Sequence, residues 1–138
     1  MKNMANYYGE KFYDSEIDSA RRAAKEIIPI ILELISPKSV IDIGCGAGSW
    51  LASFKDYGVQ DILGVDGEWV KQEKLQIPKE RFISFDLTKP FRLDRKFDLV
   101  MSLEVAEHIP AKYAQTLIDT LVSLGPLVLF SAAGSVNS

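Results

Sequence analysis

The stretch that decides the fold is Ser39-Val-Ile-Asp-Ile-Gly-Cys-Gly-Ala-Gly-Ser-Trp50. Val40 to Ile43 is a short β-branched run, which suits a strand buried on both faces of a parallel sheet. It breaks into Gly44, Gly46 and Gly48, and a helical pattern follows. Glycine is needed where φ is positive or where backbone must come within contact distance of a ligand. Alternate glycines between a strand and a helix therefore mark a ligand-cradling turn. A tight turn with no ligand is the plainer reading of the same residues. Asp42 inside the strand, and an acidic end to the next strand at Asp66, favour a nucleoside site.

The dinucleotide fingerprint G-x-G-x-x-G uses its third glycine for close helix–strand packing. Here Ser49 stands in that place and the glycine falls one residue early, at Gly48. The pattern is G-x-G-x-G.

A chain of 138 residues with 47% apolar side chains makes one domain with a core of its own. No apolar run is long enough to span a bilayer, and the N-terminus lacks a signal peptide's hydrophobic region. A single cysteine, Cys45, excludes an internal disulfide and suits a cytoplasmic protein. One cysteine and one histidine make a zinc site unexpected, so no metal is assigned. A net charge of −3 argues against a large nucleic-acid footprint, which needs clustered Lys and Arg.

Around the decisive stretch, residues 1–13 are polar with interleaved aromatics (Tyr7, Tyr8, Phe12, Tyr13) and read as an arm packed on the domain or a lid over a cleft. Residues 14–36 read as a helix capped by Asp14 or Ser15, with Ile27, Ile28, Ile31, Leu34 and Ile35 on its apolar stripe. Pro29 should kink or split it. Residues 37–131 form the core and 132–138 a small polar tail. In the helix after the glycine turn, Trp50 and Phe54 read as core. Asp61 to Asp66 is the second strand, and its terminal acid lies about 20 residues from Gly44, the spacing of a ribose-binding carboxylate. A helix N-cap is the plainer role for Asp66. Trp69 either lies against a base or simply packs. Residues 70–79 read as a short helix. Arg81 to Thr88 is the third strand, with Asp86 placed to accept an exocyclic amine or to start a turn. The stretch from Thr88 to Lys96 is short for a crossover. The strands it joins lie roughly 14 Å apart in a 3-2-1-4 order, and nine extended residues reach about 30 Å, so a loop suffices. Phe97 to Leu103 is the fourth strand. Pro110 opens a helix whose buried face is Ala114, Leu117, Ile118, Leu121 and Val122. Pro126 to Ser131 is the fifth strand. The expected fold class is α/β: a three-layer, doubly wound, mainly parallel sheet of order 3-2-1-4-5 with helices on both faces.

This arrangement, with Phe97-Asp-Leu-Val100 and Glu104-Val-Ala-Glu-His-Ile109, resembles the class I S-adenosylmethionine-dependent methyltransferases over residues 37–131. The resemblance implies that Gly44, Cys45, Gly46 and Gly48 border the methionine moiety of S-adenosylmethionine, with Asp42 on the acidic rim. It implies that Asp66, with Gly67 and Glu68, holds the ribose, that Asp86 and Leu87 flank the adenine, and that Ser102, Leu103 and Glu104 lie near the transferred methyl. The product would be S-adenosylhomocysteine and the acceptor a small molecule. His108 is the candidate general base and Glu104 the second catalytic candidate; a helix-start or surface histidine is the plainer role. Cys45 is more simply a small filler than a nucleophile. The family normally adds two strands after the fifth, so a shortened enzyme is expected, with its fifth strand an open edge that invites a homo-oligomer. A non-catalytic cofactor-binding domain is the first alternative. An NAD-dependent oxidoreductase is the second, disfavoured by Ser49.

Overall fold

The computed structural model describes residues 2–132; for residues 2–10, 12 and 13 it describes the backbone course alone. The chain runs α1 (Lys2–Leu34), β1 (Ser39–Ile43), α2 (Ser49–Asp56), β2 (Asp61–Asp66), β3 (Phe82–Ser84), β4 (Leu99–Leu103), α3 (Ala114–Leu124) and β5 (Val128–Ser131). Short 3-10 turns fill the connections at Gln72–Lys74, Lys79–Arg81, Ala106–His108 and Ala111–Tyr113. The five strands form one sheet of order β3-β2-β1-β4-β5, and every pairing is parallel. The strand order expected from the sequence is the one observed.

The β-branched run of β1 explains its central place. Val40, Ile41 and Ile43 are fully buried, and alternate side chains enter opposite layers. Val40 joins Ala24, Ile28, Leu51 and Phe54 beneath α1 and α2. Ile41 and Ile43 join Leu117, Leu121 and Leu124 beneath α3. Helices therefore cover both faces. Arg21 of α1 reaches Ser53 Oγ at 2.9 Å and Asp56 at 3.0 Å, tying the first two helices together.

The passage from β3 to β4 has no helix, as its length requires. Its own aromatics cover the sheet instead. Phe91 and Phe97 are buried in the layer under α3. Phe85 meets Phe91 edge-on, with ring centroids 4.9 Å apart. The Phe91 amide donates to Thr120 Oγ1, and Arg95 makes a forked contact with Asp61 at 2.7 and 3.1 Å. Loss of a helix is compensated by a loop that carries core residues.

Several details differ from the sequence reading, among them β3, which ends at Ser84 and not at Thr88. The first helix starts at Lys2, not near Asp14; the side chains of Tyr7, Tyr8, Phe12 and Tyr13 lie outside the described residues, as does the tail from 133. Pro29 does not split α1, which is continuous through it. Pro29 is exposed, and Ala24, Ile28 and Ile31 on either side of it are held in one core. Residues 70–79 form a turn rather than a helix, because Ile77 is drawn into the core and the Gln76 amide bonds to the Ala47 carbonyl at 2.7 Å. On α3 the buried face is Leu117, Thr120, Leu121 and Leu124. Ile118 and Val122 are 46% and 61% exposed and Ala114 is exposed. Thr120 on the buried face accepts the Phe91 amide at 3.2 Å.

Candidate functional site

The carboxyl ends of β1, β2 and β4 open into one cavity of about 1700 Å³. This is the side on which doubly wound sheets bind ligands, where neighbouring crossovers diverge from adjacent strand ends.

The glycine turn forms its floor. Gly44 and Cys45 donate their amides to the Val65 carbonyl at 2.7 and 3.2 Å, which holds the turn against β2. Gly44 has φ +86°, and a Cβ there would collide with Val105. Both constraints exclude a side chain. Gly46 differs. Its φ is +56°, and a Cβ there would meet nothing within 4 Å. Gly46 faces open space, so the bare backbone is accessible to a ligand.

Asp66 ends β2 and is 6% exposed. Its Oδ2 accepts the Gly46 amide at 2.7 Å, and its Oδ1 accepts the Gly67 amide at 2.7 Å and the Trp69 indole N–H at 3.1 Å. Burial raises its pKa, and these three donors oppose that shift. A carboxylate offers about four lone-pair sites, so one remains for a hydroxyl. Asp66 is not a helix cap; it joins the strand end to the glycine turn. Trp69 is 58% exposed on the cavity wall, and only a glycine at 67 lets its ring approach.

Asp42 is 3% exposed on the same wall, and its Oδ1 has no hydrogen-bond partner. Burial and the neighbouring Asp66 push its carboxyl up to about 8. The Cys45 thiol is also pushed well up, by burial and by both aspartates. It is a neutral thiol at pH 7, with its Sγ against Gly64. That agrees with a filler and not a nucleophile.

Asp86 lies two residues past the end of β3, is exposed, and accepts the Thr88 amide and hydroxyl at 3.0 and 2.7 Å. These bonds lower its pKa. It starts a turn and also lines the cavity. Glu104 follows β4 with φ +57°, a conformation that costs a non-glycine residue roughly 1–3 kcal/mol. Its amide donates to the Ser131 carbonyl and hydroxyl at 2.9 and 3.2 Å, which holds the strained residue in place. His108 is exposed at the rim, with Nε2 3.6 Å from Glu107 Oε1.

The cavity thus gathers Asp42, Gly44, Cys45, Gly46, Asp66, Gly67, Glu68, Asp86, Leu87, Leu103, Glu104 and His108. Gly48 and Ser102 are not on its wall. Gly48 is buried against Ile77, and Ser102 is fully buried with an unpartnered Oγ. Sequence reasoning missed the contribution of α1, whose Ile17, Ala20 and Ala23 line the cavity. It also placed Trp50 in the core, whereas Trp50 both packs there and lines the cavity. Nothing in a helical apolar stripe separates a core wall from a cavity wall. Among the described residues no cluster of His, Cys, Asp and Glu is placed to hold a metal ion.

A family model for methyltransferase domains matches residues 13–131. The chain belongs to this family. The methyltransferase domain is 27% identical over 157 residues to norajmaline N-methyltransferase of Rauvolfia serpentina, covering 94% of this chain and 52% of that protein. It is 33% identical over 102 residues to tRNA U34 carboxymethyltransferase of Pseudomonas fluorescens (strain SBW25), covering 67% and 32%. The domain therefore spans about half the length of the first relative and a third of the second. Among solved structures, Streptomyces venezuelae DesVI superposes with a TM-score of 0.69 at 20% identity, over 94% of this chain and 57% of that one. The S-adenosylmethionine-bound CalS10 of Micromonospora echinaspora, an amino pentose methyltransferase, gives 0.62 at 16%, over 97% and 57%. At such identities these likenesses establish the fold, which is the class I methyltransferase sheet.

Proposed function

We propose that the domain binds S-adenosylmethionine and directs its methyl group to a small-molecule acceptor. The carrying observation is the bond from the Gly46 amide to Asp66 beside open space. It presents a buried carboxylate and bare backbone to one ligand. In this reading Asp66 accepts from one ribose hydroxyl, Gly44 and Gly46 border the methionine moiety, and Trp69, Asp86 and Leu87 flank the adenine. Leu103 and Glu104 lie at the methyl. The residues fit the cofactor in two further ways. Its sulfonium and ammonium charges answer Asp42, whose buried Oδ1 lacks a partner. It has no phosphate, so Gly48 is free to serve packing against Ile77.

When bound, the cofactor supplies an electrophilic methyl carbon whose bond to sulfur breaks as a nucleophile takes it, leaving a thioether. The domain's task is alignment and exclusion of water. His108, with Glu104 as the second candidate, accepts a proton from the acceptor at the rim.

The homo-oligomer belongs to this reading. β5 pairs only with β4 in the described sheet, and Leu127, Val128 and Phe130 are exposed there. Pairing between copies covers such an edge; a monomer by light scattering at high concentration removes that part. The neutral Cys45 thiol suits a reducing cytoplasm. No helix of the described residues is long and apolar enough to cross a membrane.

Calorimetry with S-adenosylhomocysteine and with NAD tests the reading. Binding of the first and not the second is expected. The reverse result would assign the turn to a dinucleotide. Methyl transfer from labelled cofactor into a cell extract then separates an enzyme from a binding domain.

A further inference from the structure

The two oxygens of Asp66 are not equally occupied. Oδ1 accepts two donors, the Gly67 amide at 2.7 Å and the Trp69 indole N–H at 3.1 Å. Oδ2 accepts one, the Gly46 amide at 2.7 Å. Each carboxylate oxygen takes about two hydrogen bonds. Oδ1 is therefore filled, and the open position lies on Oδ2, beside the glycine turn. A ribose carries two adjacent hydroxyls, and both can bond one carboxylate only where two positions are open.

Local structure puts the indole there. Residues 67–70 make a turn closed by the Val70 amide on the Gly67 carbonyl at 3.3 Å, and Val70 is buried. The turn folds the Trp69 ring back over residue 67, where a Cβ would stand 2.7 Å from Cδ1 and 3.0 Å from Nε1. Most of the ring is exposed on the cavity wall, yet its one polar atom is turned to a buried carboxylate. Packing does not require that bond. It satisfies an acceptor that burial has withdrawn from water.

We infer that Trp69 is a specificity-determining residue: its indole N–H takes the place of one ribose hydroxyl, so that Asp66 reads the other hydroxyl alone. The inference rests on the cofactor reading of the site. Loss of a hydroxyl weakens binding strongly when it leaves a buried polar group unpaired. Here only the hydroxyl that reaches Oδ2 has that consequence. The second hydroxyl meets an acceptor already satisfied from within the chain, and the site tolerates a nucleoside that lacks it.

Calorimetry with S-adenosylhomocysteine and its 2′-deoxy and 3′-deoxy analogues tests this. One analogue is expected to bind at least about tenfold more weakly than the parent, and the other within about threefold of it. Trp69→Phe keeps a ring and removes the donor. Oδ1 then opens, and the tolerated analogue should fall at least about fivefold below the parent. The Trp69 indole proton, assigned through its contact with the Gly67 protons, should stay slow to exchange with water when S-adenosylhomocysteine binds. Comparable binding of the two analogues by the wild-type chain overturns the inference. So does an asymmetry that Trp69→Phe leaves intact, and so does an indole proton that exchanges rapidly once ligand is bound, since a hydroxyl has then displaced it. Failure of S-adenosylhomocysteine itself to bind overturns the cofactor reading and the inference with it, whereas each of the other adverse results leaves the cofactor reading standing.

Discussion

The Gly46 amide donates a 2.7 Å hydrogen bond to Oδ2 of Asp66, 20 residues away in sequence. One end of a strand thereby sets the shape of the turn that follows its neighbour. Cofactor affinity and turn geometry should fail together when Asp66 is changed. Asp66→Ala removes three hydrogen bonds to a charged acceptor, each worth about 1.5–3 kcal/mol net. Affinity for S-adenosylhomocysteine should fall by at least about tenfold, since 1.4 kcal/mol is one decade. Calorimetry at matched folded fractions checks it, and an unchanged affinity would remove the ribose role.

Asp42 makes stability depend on pH. Its carboxyl titrates near 8 when folded and near 3.9 when unfolded. Between those values the folded chain holds a proton that the unfolded chain has released, so stability falls as pH rises. The contribution is fully present below about pH 4 and is lost as pH passes 8. Asp66, also raised by burial, acts in the same direction. Asp61 and Asp86 are lowered and titrate below this window. The thermal midpoint should decline from pH 5 to pH 8.5, and Asp42→Asn should flatten that decline. A level wild-type profile would show that the carboxyl is not held neutral.

The same group couples to the ligand. A cationic cofactor favours ionised Asp42, so binding at pH 7 should release a proton and tighten towards pH 8. Calorimetry in buffers of different ionisation enthalpy reads the release directly. Buffer-independent enthalpies would place the cation elsewhere.

Gly44→Ala meets two obstacles that can be separated. The positive φ costs roughly 1–3 kcal/mol, and the new methyl collides with Val105. Adding Val105→Ala should relieve the collision and leave the backbone cost. Denaturant midpoints of the single and double variants test this; no gain in the double variant would mean the turn itself had moved.

On α3, Leu121→Ala should cost about 2–5 kcal/mol as a core truncation. Val122→Ala, one residue on, should fall within about 0.5 kcal/mol of neutral. Comparable losses at both positions would indicate a partner seated on the exposed side of the helix.

Much of the site was legible before the fold was known. Gly44, Gly46 and Asp66 stood out because positive φ and a carboxylate at a strand end are local requirements that few residue types meet. Trp50 was assigned to the core alone, and the α1 wall at Ala20 and Ala23 was missed. An apolar or small residue at helical spacing looks the same whether a side chain or a ligand lies opposite. Ser102 sits at the right strand end, but its side chain turns into the layer with Val100, away from the cavity.

Local sequence alone determined the strand order, the glycine turn and the acid beside it. Hydrophobic period and turn chemistry act over a few residues, and right-handed crossovers leave few ways to connect them. Tertiary structure alone decided which face of α3 is buried, how α1 runs through Pro29, and that Asp42 is a neutral acid with an unanswered oxygen. Those depend on what packs opposite, and burial is a property of the neighbours a residue acquires, not of the residue.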